Sequence, residues 1–160
     1  MEGLTNKIRT ILRRLNISEP PVPVSKVAKL FSIKVVPYPK FPDKRSGFIT
    51  EIEGSLVIGV NSNHSEVRQR FTISHELGHF LLGHQIDTPN FREEDSRPID
   101  QEREADNFAA ELLIPRDFLS ADIKANRMLK IPELARRYNV SGQAMSIRLL
   151  QTGLIKDLTS

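Results

Sequence analysis

Cysteine is absent from the 160 residues. That excludes a disulfide framework, a thiolate metal site and a cysteine nucleophile, and it suits a reducing compartment. Long apolar runs are missing too. No stretch approaches the roughly 18 apolar residues of a membrane span. The N-terminal MEGLTNKIRTILRRL interleaves charge with Leu4, Ile8, Ile11, Leu12 and Leu15 at helical spacing, where a signal peptide needs an unbroken apolar segment. The expectation is a cytoplasmic protein with no membrane association. Positive charge is present but not concentrated. The net charge is +3 with a pI near 9.3, and basic residues are scattered apart from the pairs Arg13–Arg14 and Arg136–Arg137. A nucleic-acid-binding surface is ordinarily denser. Neither an internal repeat nor a low-complexity tract is visible.

What remains is a globular composition, 39% apolar and 27% charged, in a chain of 18.2 kDa, the usual size of one domain. Residues 4–15 read as an amphipathic helix, broken by Pro20, Pro21 and Pro23. Ser25 is placed to cap a short second helix carrying Val27, Ala28, Leu30 and Phe31. Ile33–Val36 reads as a strand ended by the prolines that follow. Residues 47–60 read as a hairpin turning at Glu53–Gly54. A long helix is expected from about Ser65 to His84, a polar loop over 85–98, and a helix from about Ile99 to Leu113 with Pro115 after it. The remainder is helical with a turn at Asn139–Ser141. The chain is thus read as α+β and mostly helical, one domain over 1–160 with its core in about 1–121 and a helical C-terminal part over about 127–155.

Chemistry concentrates at residues 70–84, RFTISHELGHFLLGH. His75, Glu76 and His79 match H-E-x-x-H. Positions i and i+4 of a helix differ by about 40° of rotation, so both imidazoles face one way and can share a zinc ion. Glu76 lies about 100° from His75, beside the metal, where a carboxylate can take a proton from water as general base. The apolar residues Phe71, Ile73, Leu77, Phe80, Leu81 and Leu82 surround this helix, which marks it as buried. Buried histidines and a buried glutamate need partners, and a shared metal supplies them. His84 comes five residues after His79, about 140° around the helix, and is read as a helix C-terminal residue outside the metal set.

Catalytic zinc usually has three protein ligands. The third is sought in QEREADNFAAELLIP, residues 101–115. Ala105, Phe108, Ala109, Leu112 and Leu113 form an apolar stripe. Glu102 lies roughly 50° from its centre, Glu104 and Glu111 beyond about 100°. Glu102 is therefore the expected ligand. Asp106, one turn later, is the expected acceptor of a ligating histidine's free ring N–H, and Glu104 is read as solvated. Manganese or iron stays open beside zinc.

The runs Arg68-Gln-Arg-Phe-Thr-Ile-Ser-His-Glu-Leu-Gly-His and Glu102-Arg-Glu-Ala-Asp-Asn-Phe-Ala-Ala-Glu-Leu-Leu-Ile-Pro115 together resemble the ImmA/IrrE family of metallopeptidases. The likeness extends over nearly the whole chain. It implies a zincin-like, gluzincin-like fold, zinc on His75, His79 and Glu102, and Glu76 as general base. It implies as substrate a partner transcriptional repressor of the helix-turn-helix kind, whose cleavage relieves repression of stress-response or mobile-element genes. Joined to that resemblance, the strand SLVIGV, with Leu56, Ile58 and Val60, becomes the expected cleft edge on which an extended substrate pairs.

Residues 131–150 resemble a helix-turn-helix, with Ser141 capping the second helix. A DNA-reading version would turn Gln143, Ser146 and Arg148 toward the groove. The alternative function is accordingly a DNA-binding or repressor-binding regulator whose metal site is not catalytic. One arginine and no lysine on the reading helix argue against direct DNA binding.

Overall fold

The computed structural model describes residues 2–41, 44–87, 97–125 and 130–156. The chain divides into two compact units, residues 23–109 and residues 1–22 with 110–160.

The first unit holds α1 (Val24–Leu30), the strands β1 (Lys34–Tyr38), β2 (Gly47–Ile52) and β3 (Ser55–Asn61), α2 (Glu66–Leu82) and most of α3 (Ile99–Leu113). The sheet order is β1-β3-β2. β2 and β3 form the expected antiparallel hairpin, from Gly47 opposite Val60 to Ile52 opposite Ser55. Glu53 and Gly54 at its tip both have positive φ, the geometry of a tight hairpin turn. β1 lies parallel on the other side of β3, Lys34 opposite Val57 through Tyr38 opposite Asn61. β3 is therefore the central strand, with main-chain partners on both sides. It is not a cleft edge, and Leu56, Ile58 and Val60 cannot serve as one: Ile58 and Val60 are buried in the core. The sequence LVIGV is a short continuous apolar run, the pattern of a strand covered on both faces.

α2 packs on β2 and β3, and Thr72, Ile73 and Leu77 of the helix and Ile49 and Ile58 of the strands are buried. Gly47 permits the approach, since a Cβ there would stand 2.5 Å from the Thr72 methyl and 2.7 Å from the Gly59 carbonyl. Asn61, fully buried, fixes the chain leading into β2. Its N–H donates to Ser46 O at 2.8 Å and its amide to Arg45 O at 2.9 Å.

The second unit is helical. It comprises an N-terminal helix (Glu2–Arg14), the end of α3, and helices α4 (Arg116–Ala125), α5 (Ile131–Tyr138) and α6 (Gly142–Thr152). Its core gathers Ile8, Leu112, Leu119, Ile123, Leu134, Tyr138, Met145 and Leu149. Ser141 caps α6, its hydroxyl accepting from Ala144 N at 3.1 Å. The DNA-reading face is not formed as expected. Arg148 is buried, ion-paired with Glu111 and donating from Nε to Ile114 O at 3.0 Å. Ile147 and Leu150 are the large apolar side chains that α6 exposes, beside the uncharged Gln143 and Gln151, and none of these can neutralise phosphate. Among the described residues no helix is long and apolar enough to cross a membrane.

Candidate metal centre

The site begins with one close approach between helices. Gly78 of α2 meets α3 at Ala105 and Phe108, where an added Cβ would lie 3.1 Å from Ala105 Cα and 3.1 Å from Phe108 Cβ. His75 and His79 flank Gly78 along α2, and Glu102 sits one turn before Ala105 on α3. The absence of a side chain at Gly78 thus lets the two helices bring these three residues together.

His75 Nε2 and His79 Nε2 are 3.0 Å apart. Glu102 reaches the first with Oε2 at 3.1 Å and the second with Oε1 at 3.3 Å. Ligands at about 2.0–2.1 Å from a tetrahedral ion stand about 3.3 Å from each other. The observed triangle is close to that edge length, so two nitrogens and a carboxylate fit one divalent ion with a position left for a fourth ligand. This cluster could hold a metal.

Electrostatics favour the same set. Burial, with the positive charge of Arg97 and the neighbouring histidines, drives the His79 imidazole down to about 3, leaving it neutral with a lone pair to offer. Burial also lowers His75, but the hydrogen bond to Asp106 and the charges of Glu76, Asp106 and Glu102 outweigh it and leave its pKa raised. Asp106 Oδ1 accepts from His75 Nδ1–H at 2.8 Å, which turns the Nε2 lone pair toward Glu102. Glu76 is 5% exposed. Burial pushes its carboxyl up to about 7 against the opposing pull of Arg97 and His75.

Two features depart from the sequence reading. α2 stops at Leu82, and Gly83, at φ 75°, reverses the chain. His84 therefore folds back beneath His79 instead of continuing around the helix. Its Nδ1 lies 3.0 Å from His79 Nδ1, and its Nε2 lies 2.9 Å from Glu104 Oε2. His84 stays outside the metal set and Glu104 is exposed, as read, but both join a chain of contacts that ends on His79. Arg97, in the segment expected to be a polar loop, is the second feature. It donates from Nε to Gln85 O at 3.1 Å, and its Nη2 lies 2.9 Å from Asp87 and 3.4 Å from Glu76. Asp87 in turn bonds the outer edge of β2, its N–H donating to Ile49 O at 2.8 Å. Residues 88–96 of the expected loop lie outside the described residues. A buried Glu76 on a helix apolar all round was itself a signal that a cation must reach it.

A cleft of about 910 Å³ opens on the site, bordered by Arg45, Gly47, Arg68, Phe71, His75 and Glu76 among others. Residues 44–47, the approach to β2, line it, and β3 does not.

A Bacillus phage phi105 protein described as "Uncharacterized immunity region protein 2" is 30% identical over 109 residues, 68% of this chain and 66% of its own length. A Mycobacterium tuberculosis transcriptional regulator shares the fold with a TM-score of 0.69 at 17% identity, over 93% of this chain and 46% of its own. The chain thus spans about two thirds of the phage relative and under half of the mycobacterial one. The model of the IrrE N-terminal-like domain, peptidase M78, matches residues 28–150, and with that match over most of its length the chain belongs to this family of peptidases.

Proposed function

We propose that the protein is a zinc-dependent endopeptidase that cuts a partner transcriptional repressor of the helix-turn-helix type, so relieving repression of stress-response or mobile-element genes. The observation that carries the reading is the triangle of His75 Nε2, His79 Nε2 and Glu102, 3.0 to 3.3 Å on its sides, with the Glu76 carboxyl buried beside it. Zinc suits a donor set of two imidazoles and a carboxylate. When bound it would supply Lewis-acid polarisation of the scissile carbonyl and acidify water. Glu76 accepts the proton of the attacking water and returns it to the departing amine, a double task suited to a carboxyl near 7. Asp106 holds His75 in the tautomer with its proton on Nδ1, so that Nε2 presents its lone pair to the metal site. Ile49 turns its main chain outward to Asp87, so by alternation Gly47 turns outward two residues earlier. That N–H and C=O face the cleft, where an extended substrate segment can pair with them. The name of the phage relative, an immunity region protein, is in keeping with a regulatory substrate.

The test is incubation of the zinc-loaded protein with the repressor encoded nearest to it. Cleavage at one or a few bonds, abolished by chelator and by Glu76→Gln, is expected. A protein that takes up no zinc, or that cuts equally well with chelator present, overturns the reading.

A further inference from the structure

Two hydrogen-bond distances past the end of α2 define a second chain of contacts behind the metal cluster. His79 is 0% exposed in its side chain and His84 6%, so neither imidazole has water as its ordinary partner. Their Nδ1 atoms lie 3.0 Å apart, so one must donate and the other accept. Glu104 decides which. An ionised carboxylate only accepts, so His84 Nε2, at 2.9 Å from Glu104 Oε2, carries the proton. A His84 that carries this proton alone has its lone pair on Nδ1, and His79 Nδ1 is then the donor. With its proton on Nδ1, His79 presents a bare Nε2 toward His75 and Glu102. The opposite polarity would put a proton on His79 Nε2, pointing into the cluster.

We infer that His84 and Glu104 are positioning residues that set the tautomer and ring orientation of His79 for metal binding, as Asp106 does for His75. The inference rests on His79 being a ligand. It makes the centre asymmetric: a carboxylate supports His75 directly, whereas His79 is supported through a second imidazole and a carboxylate that is 63% exposed. Gly83 is part of the device, because only its left-handed conformation lets a residue five positions on return to the ring of His79.

Three full-length variants test this. Zinc affinity, measured by competition with a chromophoric chelator, should fall about 10- to 100-fold in His84→Ala, the scale of losing a ligand's hydrogen-bond partner. His84→Asn should recover to within about threefold, since its amide oxygen offers an acceptor near the place of Nδ1. Glu104→Ala should lose a few-fold. In the metal-free protein, long-range ¹H–¹⁵N correlation of labelled histidines should find His79 protonated on Nδ1 in the wild type and in His84→Asn, and a mixture of tautomers in Glu104→Ala. Wild-type affinity in a folded His84→Ala, or affinity in His84→Asn as low as in His84→Ala, overturns the inference. If His84→Ala does not fold, Glu104→Ala indistinguishable from wild type in both measurements does so. If the wild type takes up no zinc, the peptidase reading fails by itself, and His79 found with its proton on Nε2 in the metal-free protein still sinks the relay.

Discussion

Replacing Gly78 with alanine should damage the metal centre more than the fold. The new Cβ would stand 3.1 Å from Ala105 Cα, 3.1 Å from Phe108 Cβ and 3.2 Å from Ala105 O, two backbone atoms and a Cβ fixed to the backbone, none of which can swing aside. Carbon atoms rest at about 3.5–4.0 Å, so α3 must retreat by roughly half an ångström. Glu102 is one turn from Ala105 and retreats with it. Metal–ligand distances tolerate only about 0.2 Å, so zinc affinity should fall about tenfold or more, the scale on which lost support around a ligand acts. Global stability changes less. Overpacking costs about 1–3 kcal/mol, and alanine in a helix returns about 1 kcal/mol over glycine. The net loss is about 0–2 kcal/mol by these figures. Gly142→Ala is the matched control, because nothing lies within 4 Å of a Cβ there. Urea denaturation of the metal-free proteins and chelator competition read the two effects separately. Gly78→Ala with wild-type zinc affinity and undiminished stability would refute the claim that this contact sets the site.

Glu76→Gln should retain zinc and lose cleavage. It should also stabilise the metal-free protein in a pH-dependent way. The folded carboxyl titrates near 7 against an ordinary 4.5, so the folded state holds its proton more tightly and stability is lost as pH rises from about 4.5 through 7. At pH 8 the ionised group costs about 3 kcal/mol, which the amide avoids. Urea midpoints should therefore diverge at pH 8 and converge at pH 4, and an equal gap at both would be wrong for this account. Glu102→Ala should cost most of the zinc affinity, and Asp106→Ala about 10- to 100-fold, read by the same chelator competition. Arg97→Ala should destabilise the protein at pH 8 by about 3–5 kcal/mol, the cost of leaving buried carboxylates without their cation. A thermal melt unchanged at that pH would show that Arg97 is dispensable.

The pairing of β2 with β3 was legible because hairpins are local: alternating apolar residues and a Glu-Gly turn specify it within one stretch of chain. The parallel pairing of β1 was not. Its partner lies 23 residues away in register, Lys34 against Val57, and no turn chemistry announces a crossover pair. The unbroken LVIGV run fits a hairpin strand and a strand covered on both faces equally well, so it does not by itself tell an edge from a centre. The same locality limits the C-terminal helices. Periodicity located both, yet it could not show that Arg148 would be drawn inward by Glu111, a partner 37 positions earlier.

The metal cluster was legible for a related reason. His75, His79 and Glu102 lie inside uninterrupted helices, where about 100° per residue is a valid ruler and sequence distance converts directly into direction. His84 and Arg97 lie just beyond helix ends, where the ruler stops. An angle of about 140° for His84 holds only if α2 continues through it, whereas Gly83 ends the helix in the left-handed conformation. Given that stop, the following side chain returns toward the last turn, and a buried His79 in want of an acceptor for its Nδ1–H is what it meets there. Arg97 follows the same logic from the other side: Glu76 and Asp87 are buried acids, and a cation had to be supplied by whichever chain segment entered α3. Ligands are read from helix phase, then, while the residues that hold ligands in place are read from unmet hydrogen-bond and charge requirements, followed past the helix termini.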